Sequence, residues 1–225
     1  MGKSGKRRGD TMVAIFKDRV DAGRRLAEEL ARYADREDAI VLGLPRGGVV
    51  VAGAVAEALR VPLDVLLVRK LGVPGNEELA MGAIATGGTR VINRDVIRWL
   101  EIPDRVVEEV AAREMRELER RERVFRGDRP RIELHGKVAI LVDDGIATGA
   151  TMRAAVSALR SAGTGRIVVA VPVAPPDACA RLEMETDELV CIARVEPFGA
   201  VGSWYLDFPQ ATDDEVRVWL ERRPA

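Results

Sequence analysis

Apolar and polar positions alternate along this chain in two distinct periods. Residues 16–34 place Phe16, Val20, Gly23, Ala27, Leu30 and Ala34 at helical spacing, which predicts an amphipathic helix over one side of a core. The short apolar run 39–44 reads as a strand, broken by "PRGG". The alanine-rich stretch 49–59 reads as a buried helix, and 62–68 as the next strand. Strand, glycine turn, helix, strand is the order of a parallel α/β fold, whose binding sites lie at the strand carboxyl ends.

Further along, 69–82 ("RKLGVPGNEELAMG") is polar and glycine-containing, and is expected to be a mobile loop. "AIAT" and "TRVI" predict a hairpin joined by two glycines. The longest predicted helix covers 104–124, with Val107, Ala111, Met115, Leu118 and Phe125 on its apolar side. Glu109–Arg113, Glu117–Arg121 and Glu119–Arg123 stand at i,i+4 in the favourable order and predict a solvated charged face. The run 137–142 reads as a central parallel strand, 152–163 as a helix closed by Gly163, 166–175 as a strand and 187–195 as the last core strand. An irregular, aromatic-bearing stretch, 196–210, precedes a terminal helix over 213–223. The fold class expected is therefore α/β, with a central, mostly parallel sheet flanked by helices in a single domain over 13–225.

Composition narrows the function. Thirty-five basic and 36 acidic side chains among 225 residues leave a formal net charge of −1, and aromatics make up 4%. That balance argues against a nucleic-acid partner, both as an electrostatic footprint and as a stacking platform. Cys179, Cys191 and His135 are the only residues of their types, too few for a disulfide framework or a structural zinc site. The sequence shows neither a long apolar span nor a secretion signal, so a cytoplasmic protein without a membrane partner is expected. "GKS" at residues 2–4 lacks the strand and glycine turn of a phosphate loop, and residues 1–12 read as a disordered basic tail, with Met12 as an alternative start.

The chemistry concentrates in "LVDDGIATGAT", residues 141–151. A loop between a buried strand and a helix aims main-chain amides at one hollow, which suits a phosphate group. Gly145 and Gly149 allow the chain to bend closely, Thr148 and Thr151 add hydroxyls, and Ala147 and Ala150 keep the wall low. Asp143 and Asp144 would repel phosphate. Two uses fit them: accepting hydrogen bonds from a sugar diol, or holding magnesium directly or through water. "GLPRGGVV", residues 43–50, repeats the arrangement, with Arg46 adding a donor fork and Gly47 and Gly48 presenting amides. Two such loops imply a ligand with phosphates at two separated points.

"ILVDDGIATGAT" resembles the phosphoribosyl-pyrophosphate motif of the type I phosphoribosyltransferases, and "GLPRGG" resembles their pyrophosphate loop, which often carries a non-proline cis peptide. "RKLGVPGNEELAMGAIA" and "WYLDFPQ" resemble an uncharacterised branch of predicted phosphoribosyltransferases, spanning residues 13–220. The resemblance implies that fold with a small hood, possible in 196–210, and a flexible loop at 69–82 that begins with Arg69 and Lys70, both directed at pyrophosphate. It assigns Asp143 and Asp144 to the ribose hydroxyls, and Ile146, Ala147, Thr148, Gly149, Ala150 and Thr151 to the 5-phosphate. It implies magnesium as cofactor, a homodimer, and phosphoribosyl transfer from phosphoribosyl pyrophosphate to an unidentified nitrogenous acceptor. Arg46, Lys70, Asp143 and Asp144 would carry the chemistry. Ala147 stands where many 6-oxopurine enzymes have an aspartate, which points away from those acceptors. Phe198, Trp204 and Tyr205 are candidates to stack on a planar acceptor, and Glu77 and Glu78 to move a proton. His135 reads as a turn residue and Cys191 as part of a core strand. The alternatives are a regulator that binds phosphoribosyl pyrophosphate or a nucleotide without turnover, and a sugar-phosphate hydrolase.

Overall fold

The computed structural model describes residues 14–222; the expected basic tail lies outside them. In chain order the elements are α1 (Arg19–Glu29), β1 (Ala39–Gly43), α2 (Gly47–Leu59), β2 (Leu63–Val65), β3 (Val68–Val73), β4 (Asn76–Ala85), β5 (Arg90–Ile92), α3 (Arg94–Trp99), α4 (Asp104–Arg126), β6 (Val138–Val142), α5 (Ala150–Ser161), β7 (Arg166–Ala174), α6 (Pro176–Glu183), β8 (Glu188–Arg194) and α7 (Asp213–Glu221).

Five strands form a parallel sheet in the order β2-β1-β6-β7-β8. The central strands are buried from end to end because both faces are covered. Alternate side chains go to opposite cores. Ile40, Leu42, Ala139, Leu141, Ile167 and Val169 pack towards Met152, Ala155, Val156 and Leu159 of α5. Val41, Ile140, Val142 and Val168 pack on the other side, against Leu26 and Leu30 and against Val51 and Val55 of α2. Helix α1 is shorter than its apolar pattern suggested. Asp18 caps it by accepting from the Asp21 amide, and Phe16 lies outside the helix in a bridge to Tyr205.

The segment expected as a mobile loop, 69–82, is instead a β-hairpin. β3, β4 and β5 form an antiparallel three-stranded sheet. Pro74-Gly75 makes the turn, with Val73 opposite Asn76 and Gly75 at φ +81°, the conformation that position i+2 of a type II turn requires. Leu71 and Met81 are fully buried against α4, which anchors the hairpin. The β4–β5 hairpin forms as expected, with Ile84 opposite Arg90 and Gly87 and Gly88 at positive φ.

The charged face of α4 is only partly solvated. Glu117 pairs with Arg121 at 2.9 Å, but Glu109 pairs with Arg105 and Arg113 with the buried Glu114. Arg126, Glu122 and Asp64 are also buried, and Arg126 donates to Asp64 at 2.7 Å. The short helices α3 and α6 are additions to the elements expected from the sequence. Among the described residues no helix is long and apolar enough to cross a membrane.

Helix α7 lies across α2 where Gly53 leaves space for Trp219; a β-carbon on Gly53 would collide with the indole ring. Gly53→Ala is expected to destabilise the fold by about 1–3 kcal/mol, the usual cost of overpacking. Urea denaturation should show that loss, and it should shrink in a Trp219→Ala background. Equal losses in both backgrounds would rule out the ring contact as its cause.

Candidate active site

β1 and β6 are neighbours at the centre of the sheet, with Gly43 opposite Val142 at their carboxyl ends. Each strand runs through a loop into a helix, so both loops open on the same edge, side by side. The first is Leu44-Pro45-Arg46, in which the Pro45–Arg46 peptide is cis, and α2 begins at Gly47. The Leu44 amide donates to the Val142 carbonyl at 3.0 Å and ties this loop to the second. A β-carbon on Gly47 would collide with Asp144 Oδ2, and one on Gly48 would stand 2.8 Å from Asp143 Cα. Glycine at both positions is what lets the two loops close on each other.

Asp143 and Asp144 are half-buried at the end of β6. The Asp144 amide donates to Asp143 Oδ1 at 2.9 Å. Asp144 Oδ2 accepts from Arg19 Nε at 2.8 Å. One oxygen of each carboxylate is thus engaged within the chain. Burial and the adjacent Asp144 charge push the Asp143 carboxyl well above its ordinary value of 3.8.

Gly145 is wedged between Val201 and Val173, with a hypothetical β-carbon 2.5 Å from the former. Ile146 is buried and its amide donates to the Val173 carbonyl at 2.9 Å. It therefore supplies neither a side chain nor an amide to a phosphate cradle, and that part of the expectation is corrected. Ala147, Thr148, Ala150 and Thr151 are exposed, and Gly149 turns the chain at φ +79° into α5. Among the described residues, the amides of Ala147, Thr148, Gly149 and Thr151 make no hydrogen bond, and that of Ala150 makes only a 3.5 Å contact to Thr148 Oγ1. Open amides at the start of a twelve-residue helix form a ready anion cradle.

The expected basic residues separate into two places. Arg69, Lys70 and Thr151 line one cleft of about 330 Å³, which β3 makes with α4 and α5. Arg46 does not line it; its guanidinium stands 3.6 Å from Asp213 on α7. Arg69 donates to Glu114 Oε2 at 2.8 Å, and Arg113 to Glu114 Oε1 at 3.0 Å. Although burial pulls the other way, the bonds from Arg69 and Arg113 hold the Glu114 carboxyl below its ordinary value. Glu77 lines the same cleft, while the Glu78 side chain lies outside the described residues.

The phosphoribosyl transferase domain model matches residues 12–200. The chain belongs to that family. Two Mycobacterium tuberculosis proteins, from strains CDC 1551 and H37Rv, carry names that assign them provisionally as phosphoribosyl transferases. Each is 50% identical over 210 residues, covering 93% of this chain and 47% of the relative. The chain thus spans about half the length of these curated relatives. The crystal structure of TT1426 from Thermus thermophilus superposes with a TM-score of 0.85 at 45% identity, covering 93% of this chain and 99% of that one.

In this phosphoribosyl transferase domain the aromatic expectation fails in part. Trp204 and Tyr205 are 8% and 5% exposed, packed with Phe16, Ala22 and Val173, and so cannot stack on an acceptor. Trp204 Nε1 donates to the Phe198 carbonyl at 3.1 Å, and Phe198 is half-buried beside it. Tyr205 instead donates its hydroxyl to the Asp144 carbonyl at 2.5 Å, and burial pushes that hydroxyl's pKa upward. Arg19 was invisible in the sequence: its partner lies 125 residues away. His135 is an exposed turn residue bridged to Thr164, and Cys191 sits half-buried in β8.

The raised Asp143 pKa fixes the sign of a pH effect. The folded chain keeps a proton there that the unfolded chain has released, so this site's contribution to stability falls as pH rises from about 4 through the folded value. Asp143→Asn is expected to raise the neutral-pH melting temperature by about 2–4 °C and to flatten that slope. Melting curves at pH 5 and pH 8 test this; an unchanged slope in the variant would assign the pH dependence elsewhere.

Proposed function

We propose that this chain transfers a phosphoribosyl group from phosphoribosyl pyrophosphate to a nitrogenous acceptor and releases pyrophosphate. The observation that supports the reading is the close approach of Gly47 and Gly48 to the acid pair, which brings the loop after β1 against the loop after β6. The amides of Ala147, Thr148, Gly149 and Thr151 bind the 5-phosphate, with the Thr148 and Thr151 hydroxyls as further donors. The free oxygens of Asp143 and Asp144 accept from the ribose 2- and 3-hydroxyls, which orients C1 towards the loop of Gly47 and Gly48. The amides of that loop face the pyrophosphate, and Lys70 and Arg69 approach it from the hairpin.

In the reaction the bond from C1 to a pyrophosphate oxygen breaks as a bond from C1 to the acceptor nitrogen forms. Positive charge grows on the sugar ring and negative charge on the departing group, so donors aimed at the pyrophosphate bind the transition state more tightly than the ground state. The β3–β4 hairpin, which packs against α5, would limit the water that otherwise attacks C1 if it closed over the sugar.

Two neighbouring carboxylates beside a polyphosphate are the oxygen donors that magnesium prefers, usually in company with substrate oxygens. Among the described residues no three His, Cys, Asp or Glu side chains are grouped to hold an ion by themselves. Asp143 and Asp144 would therefore hold magnesium together with the substrate, directly or through water, and when bound it supplies charge neutralisation at the departing pyrophosphate.

The test is pyrophosphate release from phosphoribosyl pyrophosphate and magnesium, with a panel of purines, pyrimidines and small amines. Release that requires one class of acceptor is expected. Release without acceptor would identify a hydrolase, and tight calorimetric binding without release would identify a regulator. Asp144→Asn, folded as the parent, is expected to bind phosphoribosyl pyrophosphate about 10- to 100-fold more weakly, the loss of a charged hydrogen bond.

A further inference from the structure

Arg19 opens α1, far in sequence from every loop of the site, and is 8% exposed. Its guanidinium is fixed on three sides. Nη1 donates to the Pro209 carbonyl at 2.7 Å, and the guanidinium carbon lies 3.7 Å over the Phe208 ring. Nε then donates to Asp144 Oδ2 at 2.8 Å. The same C-terminal strap reaches Asp144 a second time, through the Tyr205 hydroxyl on its main-chain carbonyl. Two adjacent carboxylates repel each other, and here a planar fork, itself held by the Pro209 carbonyl, fixes one oxygen of Asp144.

We propose that Arg19, braced by the strap 205–209, is the positioning residue that sets the Asp144 carboxylate for the ribose diol, an inference that rests on the phosphoribosyl-transfer reading above. Arg19 holds Oδ2 and leaves Oδ1 for the sugar. Gly47 completes this arrangement: a β-carbon there would meet Arg19 Nε at 2.8 Å as well as Asp144, so glycine lets the neighbouring loop pass without displacing the pair. Arg19 does not touch the reacting atoms; it fixes the oxygen that touches the sugar. Neither the strap nor α1 belongs to the two loops that the sequence motifs mark.

Calorimetry with three probes in metal-free buffer, where no ion links Asp144 to pyrophosphate, separates positioning from general support: phosphoribosyl pyrophosphate, ribose 5-phosphate and inorganic pyrophosphate. Arg19→Gln is expected to weaken the two ribose probes about 10- to 100-fold, the usual effect of removing the partner that orients a ligand-binding group, and to leave pyrophosphate affinity unchanged. Arg19→Lys should recover part of the loss, since it keeps the cation but not the fork. In an Asp144→Asn background Arg19→Gln should cost less than about twofold, because the oxygen it positions is gone. An equal loss for pyrophosphate would mean that Arg19 merely supports the loops and would overturn the proposal. Unchanged ribose affinities in a folded Arg19→Gln protein would overturn it too. If that variant does not fold, Arg19→Lys decides: parental affinities for both ribose probes reject the role, and a selective loss supports it. If the parent protein binds neither ribose probe, the functional reading fails and this inference with it, whereas parental binding with insensitive Arg19 variants removes this inference alone.

Discussion

The Gly47 backbone passes so close to the Arg19–Asp144 ion pair that only glycine fits there. Three parts of the chain meet there: the start of α1, the start of α2 and the loop after β6. Each has a reason to be elsewhere. A largely buried ion pair must offset the desolvation of both charges, and two adjacent carboxylates repel each other. Arg19 meets the first cost with two further contacts, to the Pro209 carbonyl and the Phe208 ring. The second remains visible in the raised pKa of Asp143. Such a pair contributes little net stability, but it specifies geometry.

The parallel sheet makes that contact possible. Because β1 and β6 are adjacent and in register, their following loops emerge side by side at one edge of the sheet. Open amides at a helix start favour negative charge without needing a basic side chain in contact. The basic residues are held at the periphery by partners of their own. Arg46 faces Asp213 on α7, and Arg69 shares Glu114 with Arg113. In the region of 69–82 the chain is a hairpin anchored by Leu71 and Met81. Any movement over the substrate would therefore be that of a paired unit, and it would have to give up the Arg69–Glu114 bond.

Much of this was legible in the residues. The apolar run at 39–44 marked a short strand and the near-continuous run at 137–142 a central one, and the glycines after each marked strand-to-helix loops. The pattern failed where local signals competed. "VPGN" carries a type II turn signal, but the glycines and glutamates around it read as a loop. The aromatics near residue 204 read as a stacking surface because composition cannot say which side of a ring is already covered. Trp204 and Tyr205 are covered by Phe16 and Val173.

The alternation of strands and helices, the two phosphate-type loops and the acid pair could all be read from residue order, because each depends on spacing within about a dozen residues. Folding in three dimensions was needed to put Ile146 in the core, to set Arg46 and Lys70 apart, and to bring Arg19 and Tyr205 onto Asp144. Those are contacts between residues far apart in the chain, set by how the sheet stacks its loops and how the C-terminal strap returns across α1. Local periodicity carries no information about such closures, since they arise only when separate elements bury their apolar faces together.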